Sequence, residues 1–314
     1  MLKYYYWLQE PTEAYVRKEA QEKYVDLLSD LGFKHVFGRE ANKDVIIAFL
    51  NEIIPDRTIV DLDHMRNEQI PENRRWKKSV YDLYCRTDDG SRIVVELQSQ
   101  EQADYIDRAL YYGTFPIQSQ VKKGVKEYTM CPVYVVSILN FCLPELKGKS
   151  DILTHFWFGS ETGVWLRGKL TLIFIELPKF NKALEEIGNN VLDGFYYCLK
   201  HISSLKERPV QLQQKIMERL FEVARVAAMT QDEQQEYIQA MKTERDIRNY
   251  ISFAHNKGKE EGKAEGKAEG KAEGLREGRN LQTLNIARKL KEQGDEMGII
   301  ISSTGLTQEQ IDAL

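Results

Sequence analysis

Residues 79–99, with the sequence SVYDLYCRTDDGSRIVVELQS, restrict the fold of this chain more than any other stretch. Two runs in which apolar and polar side chains alternate flank the triplet Asp88-Asp89-Gly90. Alternation with a period of two is typical of a strand that packs one face on a core. The triplet suits a three-residue hairpin loop with the glycine in the left-handed conformation. The segment is therefore predicted to be an antiparallel β-hairpin.

The predicted turn fixes which residues of the two strands face each other. If Thr87 pairs with Ser91, pairing residue by residue along the strands places Asp82 opposite Glu96. Side chains alternate between the two faces of a strand, so a slip by one residue would separate the two carboxylates. The register that gathers the apolar side chains on one face therefore also brings Asp82 and Glu96 together, with Gln98 on the same face.

Asp82 and Glu96 form a candidate metal site. Two adjacent carboxylates repel each other unless a proton or a cation lies between them. Mg²⁺ and Mn²⁺ prefer oxygen ligands, and a bound Mg²⁺ can polarise a phosphoryl oxygen and lower the pKa of an attacking water. Gln98 is placed to hydrogen-bond that water or a phosphate oxygen. The alternative is a half-exposed hairpin whose polar face simply contacts solvent.

Composition and charge limit the possible functions. The 314 residues suit one large domain or two smaller ones. The formal net charge of −4 argues against a simple nucleic-acid binder with a basic surface, but it allows a nuclease whose central carboxylates are neutralised by bound cations. The four cysteines are not in CxxC spacing and the histidines are scattered, so neither a zinc site nor a disulfide framework is predicted.

No membrane attachment is expected from the sequence. The N-terminal residues lack the basic start, apolar run and cleavage site of a signal peptide. No stretch reaches the roughly 18 consecutive apolar residues that a membrane span requires. We therefore expect a cytoplasmic protein.

Hydrophobic periodicity assigns the other elements. Helical periodicity is found over residues 41–53, 101–124 and 182–254. Apolar, β-branched runs that are typical of buried strands cover residues 131–141 and 170–177. The first helix is expected to end before Pro55, and the second is expected to stop at Gly124.

A low-complexity repeat close to Gly-Lys-Ala-Glu places a glycine at every fourth position from Gly258 to Gly278. Such a change in composition marks a domain boundary. Four residues do not match the 3.6 residues of a helical turn, so the glycines would spiral around a helix without forming one seam. The segment is predicted to be a marginal helix or a flexible spacer, and the alternative is a small-residue surface for self-association.

Residues 281–314 resemble a small helix-turn-helix. Gly294 is the stop signal of one helix, and residues 297–301 form a second apolar helical stretch. Thr307 and Gln310 have the spacing of a capping box before a third helix. The segment is either a nucleic-acid-binding module or a helical tail that packs on itself or on a second copy of the chain.

Several side chains are candidates for binding phosphates. Tyr105, Arg108 and Tyr112 fall on one helical face, and Arg108 could reach a scissile phosphate. The alternative for Arg108 is a solvated position between core tyrosines. Arg74 and Arg75 belong to a basic cluster that could hold backbone phosphates or form a solvated loop.

A set of motifs together resembles one known family. The motifs are DLGFKHVFG at residues 30–38, FLN at 49–51, YDLY at 81–84, VELQ at 95–98, the run Arg108–Tyr112, the positions Gln120, Gly124 and Tyr128, the glycine repeats and the Thr-Gly-Leu-Thr tail. Asp82 followed by Glu96-Leu97-Gln98 is similar to the PD-(D/E)XK nuclease signature. The set resembles most the Rpn family of recombination-promoting nucleases, also described as PD-(D/E)XK transposases. Lys34, within the first motif, is interpreted as helix surface.

The resemblance implies an α/β fold with a restriction-endonuclease-like core, in which helices flank a mixed central sheet, and a C-terminal helical extension. It also implies that Asp82, Glu96 and Gln98 are the catalytic residues, and that Asp82, Glu96 and the Leu97 carbonyl bind Mg²⁺ or Mn²⁺. The sequence departs from the parent superfamily at Gln98, where lysine is usual, and at Tyr81, where the signature has proline. The Rpn branch resembles this chain in having glutamine at the position of Gln98. The resemblance therefore leaves open which group activates the water molecule.

Four segments are predicted from these observations. They are a nuclease-like domain over residues 1–205, a helical extension over 206–254, a repeat linker over 255–279 and a helix-turn-helix-like tail over 280–314. The predicted function is a Mg²⁺-dependent DNA endonuclease of low sequence specificity that promotes recombination or transposon-like DNA movement. DNA is the expected partner, and the repeat and tail are candidates for contacts in a homo-oligomer. The alternatives are RNA cleavage at the same site and a catalytically weak or inactive protein that acts as a DNA-binding or self-associating regulatory module.

Overall fold

The computed structural model describes residues 23–55, 57–66, 68–69, 79–102, 104–121, 128–166 and 168–314. The chain divides into two compact units, Met1–Met241 and Lys242–Leu314, called here the first and the second unit. The helices of the described residues are α1 (Asp30–Phe37), α2 (Lys43–Ile53), α3 (Tyr105–Gln118), α4 (Val191–His201), α5 (Lys215–Val223), α6 (Gln231–Gln293), α7 (Met297–Thr304) and α8 (Gln308–Asp312). The strands are β1 (Leu62–His64), β2 (Glu68–Gln69), β3 (Ser79–Val80), β4 (Leu83–Thr87), β5 (Arg92–Gln98), β6 (Val133–Leu139), β7 (Leu153–Trp157) and β8 (Leu170–Glu176).

The first unit is built on a mixed six-stranded sheet with the strand order β1-β4-β5-β6-β8-β7. Strands β5, β6 and β8 are parallel, whereas β1, β4 and β7 pair in antiparallel fashion with their neighbours. Parallel neighbours need a crossover connection, and α3 lies in the connection between β5 and β6. The predicted α/β fold with a mixed sheet flanked by helices is confirmed.

The predicted hairpin consists of β4 and β5, and its register is confirmed. Leu83 pairs with Val95, and at the turn the N–H of Thr87 donates to the carbonyl of Ser91 at 3.1 Å. Gly90 has a φ of +84°, the left-handed conformation that such a loop requires at its last position. The turn therefore sets the pairing that the alternation predicted.

One face of the sheet packs against α1, α2, α4 and α5. The shared core includes strand residues and helix residues that are fully or almost fully buried: Leu83, Cys85, Ile93, Val95, Phe33, Phe37, Phe49, Leu50, Phe195, Leu199, Met217 and Leu220. Helix α2 ends at Ile53, before Pro55, as predicted. Because α1 is part of this core, its position relative to the hairpin is fixed by packing.

The opposite face of the sheet is covered by α3. This second core contains Tyr84, Val94, Val135, Leu172, Tyr105, Ala109 and Tyr112. A glycine at position 113 permits the close approach, since a Cβ there would lie 2.9 Å from Cδ1 of Leu170. The expectation of a hairpin face that merely contacts solvent is therefore wrong, because a crossover helix lies on that face.

Two predicted boundaries differ from the structure. The helix predicted over residues 101–124 is α3, which ends at Gln118 with Ser119 as its C-cap, and Gly124 lies outside the described residues. The strand predicted over residues 170–177 is β8, which ends at Glu176 because the chain turns into a short 3₁₀ helix at Leu177 and Pro178.

The glycine repeat lies within helix α6. A Cβ built at any of its glycines, from Gly258 to Gly278, would meet no heavy atom within 4 Å. The residues of this stretch are exposed throughout, so the repeat is helical without a packed face. The sequence predicted a marginal helix or a flexible spacer for this segment, and the structure has a helix.

The second unit ends in the small helical tail that the sequence predicted. Gly294 follows α6 with a φ of +80°. The hydroxyl of Thr307 accepts from the N–H of Gln310 at 3.3 Å, and the capping box is confirmed. The tail has a small core of its own, formed by Ala287, Ile300 and Ile311.

In the part of the chain that the structure describes, helices long enough to span a bilayer are too polar to do so. The cytoplasmic location stays a prediction. The division of the chain at residues 206, 255 and 280 also stays a prediction.

Candidate active site

Asp82 and Glu96 are brought side by side by the hairpin. The backbone N–H of Asp82 donates to Oε1 of Glu96 at 3.2 Å, and the backbone N–H of Leu97 donates to Oδ2 of Asp82 at 2.7 Å. The backbone thus holds each carboxylate beside the other. The predicted juxtaposition is observed, and the chemical roles of the two side chains stay predictions.

Burial makes ionisation of this pair costly. Glu96 is only 3% exposed. Burial, and after it the repulsion from the Asp82 carboxylate, raises the pKa of Glu96 to about 8. Burial also raises the pKa of Asp82, and the Leu97 N–H and the Lys34 ammonium oppose this shift. A bound cation would stabilise the ionised form of such a pair.

Arg108 of α3 lies above Glu96, as the helical periodicity allowed. Its Nη2 is 3.6 Å from Oε2 of Glu96. Its Nε donates to the hydroxyl of Tyr112 at 2.8 Å, and the guanidinium lies 5.0 Å from the centre of the Tyr112 ring. Tyr112 therefore orients Arg108, and the structure places both predicted phosphate-binding side chains of α3 at the carboxylate pair.

Gln98 is near the pair but is engaged in other hydrogen bonds. Its Oε1 accepts from Nη1 of Arg108 at 3.4 Å, and its Nε2 donates to the carbonyl of Gln100 at 3.0 Å. The neutral amide thus connects Arg108 to the end of β5. It supplies no positive charge at the position where the parent signature has lysine.

Lys34 is a site residue that the sequence interpretation missed. Its Nζ lies 3.8 Å from Oδ1 of Asp82 and 2.5 Å from Oδ1 of Asp30, one helical turn earlier. The assignment of Lys34 to the helix surface is half right, because its side chain is 37% exposed but its charged end faces the carboxylate pair. The only signal in the sequence is its place in the DLGFKHVFG motif.

Tyr81, which replaces the proline of the signature, is a second missed residue. It is fully buried, and its hydroxyl donates to the backbone carbonyl of Tyr112 at 3.1 Å. Its ring also packs edge-to-face on Tyr112, with the ring centres 5.3 Å apart. Tyr81 therefore fixes α3, and with it Arg108, to the chain segment that carries Asp82.

The predicted roles of Arg74, Arg75 and the Leu97 carbonyl stay predictions. Arg74 and Arg75 lie outside the described residues. Leu97 lies between Glu96 and Gln98, and its N–H is used by Asp82. Its carbonyl as a metal ligand stays a prediction.

The donor atoms of the site fit a hard divalent cation. Mg²⁺ is commonly held by one or two carboxylates, with water completing an octahedral set, and Asp82 and Glu96 supply the two carboxylates. Within the described ranges, no group of three or more His, Cys, Asp or Glu side chains could hold a metal.

The chain matches a known family over most of its length. A family model described as PD-(D/E)XK nuclease family transposase matches residues 27–254, which is more than half of the chain. Curated proteins and solved structures gave no match. The matched range contains Lys34, Asp82, Glu96 and Arg108, and it ends just before the glycine repeat.

Proposed function

The chain belongs to the PD-(D/E)XK nuclease family transposases, and from this premise we propose that it is a metal-dependent DNA endonuclease. Its activity would be of low sequence specificity and would serve recombination or transposon-like DNA movement. The observation that supports the proposal most is the Asp82–Glu96 pair, which the backbone holds together, with Glu96 buried and Asp82 half-buried.

The proposed site holds Mg²⁺ or Mn²⁺ through Asp82, Glu96 and the Leu97 carbonyl. When bound, the ion supplies Lewis-acid catalysis and lowers the pKa of a water molecule. In the hydrolysis, the water oxygen forms a bond to phosphorus and the bond from phosphorus to one sugar oxygen breaks. The proton lost by the water goes to solvent, and the leaving oxygen takes up a proton from solvent.

Arg108 and Tyr112 are proposed to bind the scissile phosphate. A guanidinium binds phosphate oxygens with charge-assisted hydrogen bonds, and Tyr112 keeps Arg108 near Glu96. Arg74 and Arg75 are proposed to add contacts to the DNA backbone. Contacts to phosphates carry no base information, which agrees with low sequence specificity.

The proposal is tested by incubating the full chain with supercoiled plasmid in Mg²⁺ or in EDTA. We expect nicked and linear products in Mg²⁺ only, and a rate at least about 100-fold lower for Asp82→Ala, because a charge-stabilising group is removed. Asp63→Ala is the matched control, since Asp63 forms an exposed ion pair with Arg86 at 2.8 Å away from the site. Equal cleavage by wild type and Asp82→Ala would contradict the proposal.

The same assay separates DNA from RNA cleavage. Duplex and single-stranded RNA of matched sequence replace the plasmid. Cleavage of RNA without cleavage of DNA would favour the RNA alternative, which uses the same carboxylates.

A second proposed function is self-association through the second unit. Leu275, Leu281, Ile286 and Ile299 are large apolar side chains that are exposed in this unit, and burying such side chains against a second copy would be favourable. Light scattering after size-exclusion chromatography should give a higher mass per particle for the full chain than for a chain ending at Asn256. An identical monomeric state for both would contradict this function.

A further inference from the structure

Strand β5, which carries Glu96, has glutamine and not lysine at position 98. A positive charge is provided instead by Lys34 of helix α1. Gln98 is neutral, and both ends of its amide are hydrogen-bonded, to Arg108 and to the Gln100 carbonyl. In the described part of the site, the positively charged groups within 4 Å of the pair are Lys34 on the Asp82 side and Arg108 on the Glu96 side.

Lys34 is held in a defined position. The hydroxyl of Ser29 caps α1 by accepting from the N–H of Gly32 at 3.1 Å. Phe33 and Phe37, on either side of Lys34 in the sequence, are buried in the core. The Asp30 carboxylate, 2.5 Å from Nζ, directs the side chain further. The ammonium thus reaches Asp82 from an element that cannot move without disturbing the core.

Lys34 is also accessible to a substrate. It lines an open depression of about 180 Å³ together with Leu31, His35, Arg39, Met229, Glu233 and Glu236. Asp82 does not line this depression, but the Lys34 ammonium lies 3.8 Å from Oδ1 of Asp82. Because the side chains of Lys34 and Asp82 are 37% and 22% exposed, a phosphate that enters from solvent can approach both.

Arg108 is less suited to contact an attacking water. Its Nε is bonded to Tyr112 and its Nη1 to Gln98 and Gln102, so most of its donors are used inside the protein. An ammonium has three donors that rotate freely. Among the described residues, the exposed Asp30 carboxylate is within hydrogen-bond distance of the Lys34 ammonium, at 2.5 Å.

We propose that Lys34 is a catalytic residue of this site and takes the part of the lysine that position 98 lacks. Its ammonium donates hydrogen bonds to the attacking water and to a non-bridging phosphate oxygen, and stabilises the negative charge that builds up as the water oxygen bonds to phosphorus. Asp30 is then a positioning residue for Lys34. This assignment rests on the proposed nuclease function.

The test compares Lys34→Ala, Lys34→Arg and the double substitution Lys34→Ala with Gln98→Lys in the full chain. Lys43→Ala is the control, because Lys43 is a lysine of the neighbouring helix whose ion pairs with Glu40 and Asp61 lie on the surface. Single-turnover plasmid cleavage gives the rate, Mn²⁺ titration by calorimetry gives the metal affinity, and thermal unfolding shows whether each variant folds.

Lys34→Ala should lower the single-turnover rate about 100-fold with little change in the plasmid concentration for half-maximal rate. Its Mn²⁺ affinity should be equal or higher, because a positive charge beside Asp82 is removed. Lys34→Arg should keep part of the rate, and adding lysine at position 98 should recover at least about tenfold. The Lys43→Ala control should cleave like wild type.

Three other outcomes would overturn the assignment of Lys34, and they distinguish an error about Lys34 from an error about the nuclease function. Wild-type cleavage by Lys34→Ala, with Asp82→Ala inactive, overturns the role of Lys34 alone. Loss of Mn²⁺ affinity in Lys34→Ala, with no recovery from Gln98→Lys, indicates a structural role and overturns it as well. Absence of cleavage by wild type overturns the nuclease function and this assignment together.

Discussion

The hairpin of the first unit and the glycine repeat of the second are both short-period sequences, yet they form opposite kinds of structure. The hairpin has a period of two, which equals the period of a strand, so alternate side chains reach the same face, and Leu83, Cys85, Ile93 and Val95 are buried together there. The repeat has a period of four against 3.6 for a helix, and its glycines meet no neighbouring atom within 4 Å. A periodic sequence thus specifies tertiary contacts only when its period matches that of the backbone.

The two regions therefore depend on different forces. Hairpin residues are held by cores on both faces of the sheet, and a hairpin by itself is marginal in water. The repeat helix relies on its own backbone hydrogen bonds, although each glycine costs about 1 kcal/mol relative to alanine. Substitutions should therefore lower the stability of the protein strongly in the hairpin and only slightly in the repeat.

The largest expected effect on the free energy of unfolding comes from ionisation of the buried Glu96 carboxyl group. Its pKa of about 8 in the folded protein lies above its ordinary value of 4.5, so the folded state holds this proton more tightly than the unfolded chain. Without metal, the free energy of unfolding should fall as the pH rises from about 4.5 to about 8, by up to about 5 kcal/mol, and then stay level. Urea denaturation at several pH values measures this fall.

Two controls sharpen that measurement. Glu96→Gln should remove most of the fall, because the ionisable group is absent. Saturating Mn²⁺ should reduce the fall in wild type, because an ion bound only to the folded state stabilises it. A pH dependence that is the same in wild type and Glu96→Gln would show that Glu96 is not its source.

The second effect is the loss of a buried hairpin side chain. Ile93→Ala, at a fully buried position, should lower the free energy of unfolding of the first unit by about 2–5 kcal/mol, since it creates a cavity. Ala268→Gly in the repeat is the matched control and should leave the unfolding of the first unit unchanged. If Ile93→Ala and Ala268→Gly lowered the stability of the first unit equally, the hairpin and the repeat would not differ in their contribution to its stability.

A smaller effect is expected from the contact between Tyr81 and α3. Tyr81→Phe removes the hydroxyl that donates to the Tyr112 carbonyl and should cost about 1–2 kcal/mol, because a buried acceptor loses its partner. It should also weaken DNA binding if Tyr81 fixes Arg108 in place. Unchanged stability together with unchanged DNA affinity, measured by fluorescence anisotropy, would refute this role.

The smallest effect is expected within the repeat. Gly266→Ala should stabilise the helix locally by about 1 kcal/mol, because no atom lies where the new Cβ would be. Far-UV circular dichroism should show a small gain in helicity, while the melting temperature of the first unit stays constant. A destabilised first unit would mean that the repeat has contacts there.

The sequence predicted the features of the site that depend on local geometry. The turn at Gly90 and the alternation along β4 and β5 suffice to place Asp82 beside Glu96, because register and face are set within a few residues. Helices α2 and α3, on either side of the hairpin, were recognisable from their periodicity, with α3 ending several residues earlier than expected, whereas α1 was not predicted from periodicity.

The features that depend on packing between distant segments could not be predicted. Lys34 reaches Asp82 because α1 packs on the sheet through Phe33 and Phe37, and no local pattern reports that contact. The burial of Glu96 likewise depends on α3 covering a face that the alternation alone would leave to solvent. Tyr81 was visible only as a departure from the signature, and its partner became known from the position of α3.

The register of the hairpin also limits how the gene can change in length. Inserting one codon within β4, between Leu83 and Thr87, would turn Asp82 to the opposite face of the sheet, away from Glu96. An insertion at the turn, between Asp88 and Gly90, can be absorbed by a longer loop and leaves the carboxylates paired. Related genes that keep the site should therefore vary in length at the loop and stay constant in length between the loop and each carboxylate.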